Sequence, residues 1–383
     1  MGWEGGITLI GDEPNLPYHR PPLSKGYLSG SKSSEELLIR PQSTYEAADV
    51  TLKLSTRAAQ INRKAKTVAL SSGEEIAYSK LVLATGARAR KLPIEGGDLE
   101  GVYYLRDMQD VSLIKTAVSR SKKAVIIGGG YIGLETAASL RQLGVEVTIL
   151  EAMPRILQRV TAPQLSEFYK RIHTEEGVHI CENVMAASIA ASKDGLVVRD
   201  KEENSYQADF IIVGIGVIPN VELAQDAGLK VSDGVEVNQY CQTTDPDIYA
   251  AGDVTLHHNE IYDRYMRLES VPNATEQAKI VAAHLCGQAK PYNSLPWFWS
   301  DQYDLKLQIA GLSRGYDSLI IRGDIQSGRS FAAFYFKENR LLAVDAVNSP
   351  REFAMTRMLL TKGKSFDKTK LSDPALALKE IVV

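Results

Sequence analysis

Cysteine is scarce in this 383-residue chain, with only Cys181, Cys241 and Cys286, all far apart. No C-x-x-C pair occurs and no histidine stands near enough to complete a zinc pattern, so neither a metal site nor a dithiol site is expected. The three read as buried thiols of a reducing compartment. An excess of one charge is missing as well. With 44 Lys+Arg against 47 Asp+Glu, a net of −3, a nucleic-acid coat is excluded and only local patches are left to consider. No apolar run approaches the roughly 18 residues that cross a bilayer. No basic-then-apolar leader precedes Gly2. The expectation is a soluble, cytoplasmic protein, long enough for two or three domains.

The most informative stretch is KKAVIIGGGYIGLETAASLRQLGVEVTILEAMPRI. Its pattern predicts a strand over 124–127, a helix over 131–143 closed by Gly144, and a second strand over 145–150. Gly128, Gly130 and Gly133 form G-x-G-x-x-G between strand and helix. The first glycine permits the tight turn, the second lets a pyrophosphate approach the backbone, and the third lets helix and strand pack closely. The helix N-terminus then receives the phosphates. Glu151 ends the second strand, where an acid accepts hydrogen bonds from the adenosine ribose of NAD and repels the 2′-phosphate of NADP. NADH is therefore the expected donor, although Arg155 and Arg159 keep NADPH open.

The first residues echo this unit. ITLIGDE resembles VTILEAM: each is a β-branched strand ending at an acid. The chain thus reads as two dinucleotide folds in series, the first without its opening strand, glycine turn and helix. On that reading the strand 7–10 has no partner within this sequence, and Asp12 or Glu13 is the acid for a second dinucleotide. LVLATGARARKLP, running into Ala84, Thr85 and Gly86, and TTDPDIYAAGDV, with Gly252 and Asp253 after a strand, are further strand-turns where small residues let a ligand approach the backbone.

In order along the chain, GWEGGITLIGDE, RPPLSKGYL, LATGARARKLP, YLRDMQD, IIGGGYIGLE, RVTAP, GIGVIPN, AAGDV, YDRYMRLESVPNATEQA, PWFWSDQYDLKLQIAGLS and LLAVDAVNSPREF resemble the FAD-dependent NADH:ferredoxin reductase family. The resemblance implies an α/β protein with two Rossmann-like domains. An FAD domain (1–102 and 219–293) is split around an NAD domain (103–218), and a C-terminal α+β domain (294–383) follows, with antiparallel strands and a terminal helix. It implies FAD contacts from Asp12 at the adenosine ribose, Lys25 near the flavin ring and Ala58 at the adenine. Ala84, Thr85 and Gly86 follow in the small turn. Arg106 and Asp253 lie by the pyrophosphate and ribityl region, and Val271 and Trp299 beside the ring. NADH is expected along Gly128, Gly130, Tyr131, Ile132 and Gly133, with Glu151 and Arg159 at the adenosine end and Glu135 and Gly216 near the nicotinamide. Lys25 and Glu135 are the expected catalytic pair, balancing charge as hydride reaches the flavin and single electrons leave for a [2Fe-2S] ferredoxin. That ferredoxin serves a cytochrome P450 or a Rieske oxygenase. No metal site is implied.

The family's FAD glycine motif would precede Gly2, so the chain as written is expected to bind FAD poorly unless about twenty-five upstream residues supply that βα unit. A cysteine-type disulfide reductase or NADH oxidase needs a thiol by the flavin, and YHRPPLSKGYL has none. A non-catalytic NADH-binding flavoprotein of the apoptosis-inducing-factor kind stays open, as does an inactive truncated relic. An acidic ferredoxin calls for a local basic patch, for which Arg40 and Lys279 are the candidates.

Overall fold

The computed structural model describes residues 2–383. The chain folds into two compact units: Met1–His19, Glu35–Arg88 and Ile218–Pro296 make one, and Arg20–Ser34, Ala89–Val217 and Trp297–Val383 the other. These cuts differ from the expected domain scheme at one place that matters for the chemistry. The segment carrying Lys25 groups with the glycine-motif fold rather than with the residues on either side of it, up to His19 and from Glu35 to Arg88.

In the first unit, β-branched Ile7–Ile10 is a strand, and its expected isolation is corrected. It pairs in parallel with Val50–Lys53, Ile7 opposite Val50. Ile7 is 48% exposed, while Ile10 packs on a core of Ile61, Val68, Leu70, Leu83, Val235, Ile248, Ala250 and Val254. Three further antiparallel strands, Ala58–Asn62, Thr67–Leu70 and Glu75–Ala77, cover that core. Two short strands, Leu81–Leu83 and Ile248–Ala250, pair in parallel, Leu83 beside Ala250. The helix Val271–Leu285 closes the unit, its start capped by Ser270, whose hydroxyl accepts from Asn273 N.

The second unit holds a five-stranded parallel sheet in the spatial order Val178–Glu182, Glu146–Glu151, Lys123–Ile127, Phe210–Val213, Val102–Tyr104. Its strands are apolar on both faces, as parallel sheets require. Val125, Ile127, Leu150, Ile211 and Val213 are all buried. The helix Tyr131–Gln142 follows the glycine loop, with Gly144 just beyond it at φ +79°, the C′ geometry that ends helices. Between Val178–Glu182 and Phe210–Val213 in the chain, Ala186–Ser192, Gly195–Asp200 and Ser205–Ala208 form a small antiparallel sheet. The last five strands form a second antiparallel sheet ordered Trp297–Gln302, Leu305–Gly311, Arg340–Val347, Ser330–Lys337, Ser318–Asp324. The helix Pro350–Thr361 packs on Leu305–Gly311 and Arg340–Val347.

Of the three thiols expected to be buried, only Cys241 is; Cys181 and Cys286 are half-buried. Burial pushes the Cys241 thiol up to about 12, which leaves it inert at neutral pH. Among the described residues no three His, Cys, Asp or Glu are placed to hold a metal ion. Among the same residues no helix is long and apolar enough to cross a membrane.

Candidate active site

The glycine loop leaves the carboxyl end of Lys123–Ile127, which has Glu146–Glu151 on one side and Phe210–Val213 on the other. In open α/β sheets this switch point is the crevice that takes ligands. Two of its glycines are fixed by packing. A Cβ on Gly133 would lie 2.1 Å from Gly128 O, and one on Gly128, at φ +115°, would lie 2.4 Å from Gly214 O. Gly130 differs: nothing lies within 4 Å of a Cβ there. It is the N-cap of Tyr131–Gln142 with no side-chain cap, so no side chain competes for the first-turn N–H groups. An uncapped helix start with open space over its N-cap glycine fits a dinucleotide pyrophosphate.

Glu151 ends its strand with both carboxylate oxygens engaged. Oε2 accepts from Gly129 N at 2.7 Å and Oε1 from Met153 N at 2.8 Å. Of the cationic neighbours, Arg155 is committed inward, donating to Ser166 Oγ at 2.6 Å and Gln158 O at 3.2 Å. Arg159 is exposed, and its Nη2 would lie 3.9 Å from a Cβ on exposed Gly216. Ile132 is 46% exposed. The hydroxyl of Tyr131 is buried without a hydrogen-bond partner, and its ring centroid sits 5.0 Å from that of Phe298. Burial pushes its phenol well above the ordinary tyrosine range.

Glu135 lies two residues past Gly133, in the first turns of the same helix, and is 2% exposed. It is no surface carboxylate. Lys25 Nζ approaches Oε2 at 2.6 Å and Ser24 Oγ donates to the same oxygen at 2.5 Å. Ser300 Oγ donates to Oε1 at 2.6 Å. Three donors, one of them charged, meet the requirement for keeping a carboxylate out of water. The turn bearing Ser24 and Lys25 is pinned to the helix, because Ser139 Oγ donates to Ser24 O at 2.7 Å. The expected Lys25–Glu135 pair is thus brought together. Ser24, Ser139 and Ser300 were missed, since isolated serines carry no periodic signal. In the same unit Arg106 accepts at its carbonyl from Arg20 Nη1 at 2.9 Å, and Trp299 is half-buried with its ring 5.5 Å from that of Trp297.

The first unit holds the other expected FAD residues. Leu81–Leu83 and Ile248–Ala250 run parallel, and Ala251 N donates to Leu83 O at 3.0 Å. Ala84, Thr85 and Gly86 follow one carboxyl end, Gly252 and Asp253 the other. Ala84 and Thr85 are exposed. Thr85 Oγ1 donates to Asn220 O, and Asn220 Nδ2 donates to Thr85 O, both at 2.8 Å. Gly252, at φ +86°, donates its N–H to Gln277 Oε1 at 2.8 Å. A Cβ on it would touch Ala274 of the helix at 3.5 Å. Two parallel strand ends opening into small residues, one of them beside a helix start, fit a nucleotide cofactor. Val271, first residue of that helix, is 37% exposed. Asp12 is exposed after the opening strand and Ala58 is half-buried at the start of its own. The basic candidates are both on the surface. Arg40 Nη1 donates to Ile39 O, while Lys279 is paired with Glu276 at 2.8 Å.

An uncapped glycine loop with a strand-end carboxylate, a buried glutamate with a lysine held against it on the helix that the loop starts, and a second set of small-residue strand ends define a nucleotide-dependent oxidoreductase. Residues 3–278 match the family Pyridine nucleotide-disulphide oxidoreductase, and residues 297–382 match Reductase C-terminal. The chain belongs to that family, in its ferredoxin reductase branch. It is 43% identical to putidaredoxin reductase of Pseudomonas putida, covering 100% of this chain and 92% of that protein. It is 40% identical to rhodocoxin reductase of Rhodococcus erythropolis, covering 99% and 88%. It also superposes on the crystal structure of the covalent putidaredoxin reductase–putidaredoxin complex with a TM-score of 0.95. That match is at 42% identity, covering 99% of this chain and 92% of the other.

Proposed function

We propose that this chain passes electrons from NADH through FAD to a [2Fe-2S] ferredoxin that serves a cytochrome P450 or a Rieske-type oxygenase, working in the cytoplasm. The observation that carries the reading is the Lys25–Glu135 pair at 2.6 Å, whose buried carboxylate stands on the helix that the dinucleotide loop begins. We assign residues 1–102 and 219–293 to FAD, 103–218 to NAD and 294–383 to the C-terminal reductase domain. FAD, when bound, supplies the conversion between a two-electron hydride donor and a one-electron acceptor.

The chain's own part is placement and charge. Gly128, Gly130, Tyr131, Ile132 and Gly133 cradle the NADH pyrophosphate, and Glu151 and Arg159 hold its adenosine end. Gly216, without a side chain, leaves room for the nicotinamide. Asp12, Ala58, Ala84, Thr85, Gly86, Arg106, Asp253, Val271 and Trp299 are the FAD contacts. Lys25 holds positive charge beside the flavin, and Glu135 fixes where that charge sits. Glu135 cannot leave its own position without stranding three donors.

Glu151→Ala removes a carboxylate that two backbone N–H groups now hold at the strand end. NADH use should fall about tenfold to a hundredfold and the gap to NADPH should narrow, read as kcat/KM for each donor. Unaltered protein turning over NADPH faster than NADH would contradict the assignment. Charge reversal at Arg40 or Lys279 should lower ferredoxin reduction, most at low salt, because steering of an acidic partner is screened over roughly 10 Å at 0.1 M. Lys279 already shares its charge with Glu276, so Arg40→Glu should have the larger effect. Ferricyanide reduction should stay intact in both, and equal loss with both acceptors would place the damage at the flavin. Stopped-flow mixing with NADH and a ferredoxin tests the function as a whole. Slow acceptor reduction with a long-lived charge-transfer band would favour a non-catalytic flavoprotein.

A further inference from the structure

Behind Glu135, away from Lys25, the hydrogen bonds continue into the second unit's interior. Ser300 Oγ donates to Glu135 Oε1 at 2.6 Å and accepts from Gln302 Nε2 at 3.1 Å. Gln302 Oε1 lies 2.8 Å from His173 Nε2, and His173 Nδ1 lies 3.3 Å from the Tyr303 hydroxyl. Ser300, Gln302 and His173 are 1%, 2% and 0% exposed. Their side chains come from two elements: the strand Trp297–Gln302, and the helix Pro163–Glu175, which carries His173.

The chain can point only one way while Glu135 is a carboxylate. A serine hydroxyl has one hydrogen, and the carboxylate oxygen takes it. Ser300 must then accept from the amide N–H of Gln302, which turns the amide oxygen to His173. His173 answers with Nε2–H, leaving Nδ1 to accept from Tyr303. Reversing any one member sets lone pair against lone pair at its neighbour. Burial lowers His173 to about 4, so the ring stays neutral and the direction holds at neutral pH.

We propose that Ser300, Gln302 and His173 are positioning residues: a buried hydrogen-bond chain of single polarity that fixes the Glu135 carboxylate, and through it the Lys25 ammonium, where the reaction needs them. This rests on the proposed placement of the Lys25–Glu135 pair beside the flavin. The two ends of the chain meet different surroundings. Glu135 faces Lys25 and Ser24 on one side and Ser300 on the other. His173 meets Tyr303, whose ring centroid is 5.1 Å away. Such a chain costs stability if cut anywhere, because each buried member keeps an unmet partner. A merely structural role predicts that cost alone. A positioning role predicts in addition a change at the far end, on the flavin.

Four proteins test it: Ser300→Ala, Ser300→Thr, Gln302→Leu and Glu135→Gln, each compared with the parent after a thermal scan and a flavin-content measurement. Ser300→Ala removes one oxygen and serves if Gln302→Leu does not fold. The limiting rate of NADH-driven flavin bleaching should fall about tenfold in Ser300→Ala and Gln302→Leu, with half-saturating NADH unchanged. The flavin midpoint potential should move in the same direction as in Glu135→Gln. Ser300→Thr, which keeps the hydroxyl, should restore both readouts. Without reference to activity, the ¹⁵N shifts of His173 should report the Nε2–H tautomer in the parent and lose that preference in Gln302→Leu. If Ser300→Ala and Gln302→Leu lower only the melting temperature, the chain is structural and the proposal is overturned. If Glu135→Gln also leaves rate and potential unchanged, the reading of the Lys25–Glu135 pair has failed, and the proposal with it.

Discussion

Gly133→Ala is expected to slow flavin reduction by NADH about a hundredfold and to lower stability, while Gly130→Ala should leave the fold intact and weaken NADH alone. The contrast follows from what each new methyl group meets. At Gly133 it lands 2.1 Å from Gly128 O, far inside van der Waals contact and against backbone, which has no rotamer to change. The helix start must move away from the loop. Overpacking of this kind costs about 1–3 kcal/mol, and a displacement near 1 Å in a binding loop costs about a hundredfold in rate. At Gly130 the methyl meets nothing within 4 Å, and φ is −80°, a value alanine adopts freely. Only a ligand approaching the loop would feel it. Thermal unfolding and NADH titration of flavin absorbance separate the two. A Gly130→Ala protein that binds NADH as tightly as the parent would show that the pyrophosphate does not lie there.

Lys25→Met should be the most damaging single change among the charged residues, and worse than Glu135→Gln. Methionine leaves Glu135, 2% exposed, with two serine donors and no counter-charge. Breaking a buried pair by removing one partner costs about 3–5 kcal/mol, because the other charge stays behind uncompensated. Glu135→Gln keeps an acceptor oxygen for one of the serines and leaves Lys25, whose side chain is 19% exposed, with partial access to water. Denaturant unfolding should therefore rank Lys25→Met below Glu135→Gln, and transient kinetics should show slowed flavin reduction in both. Equal stability of the two variants would mean that the ammonium contributes little to holding the carboxylate.

The parts of this protein that could be read from sequence are those whose geometry is local. G-x-G-x-x-G, the strand before it and the strand after it lie within one βαβ unit, so spacing alone ties Gly128, Gly130, Gly133 and Glu151 together. The antiparallel strands Ser318–Asp324, Ser330–Lys337 and Arg340–Val347 are consecutive and joined by short turns, and they too were legible. Parallel pairing was not. The neighbour of the opening strand, Val50–Lys53, carries no mark of where it docks, because a parallel partner is set by packing across a long crossover. Burial of Glu135 was equally hidden. Its serine donors stand 111 and 165 residues away in the chain, and a Glu on an amphipathic helix looks the same whether it faces water or a lysine. The grouping of Arg20–Ser34 with the glycine-motif fold escaped for the same reason. A short turn with no periodicity gives no sign of which core it joins.

The most direct test of the central claim is anaerobic double-mixing of the flavin-loaded protein, first with NADH and then with an oxidised [2Fe-2S] ferredoxin, following flavin and iron-sulfur absorbance together. Bleaching of the flavin within the dead time of turnover, then its return as two ferredoxins are reduced per NADH, is the predicted result. Flavin that stays oxidised under NADH, or bleaches and does not recover when ferredoxin arrives, would contradict it.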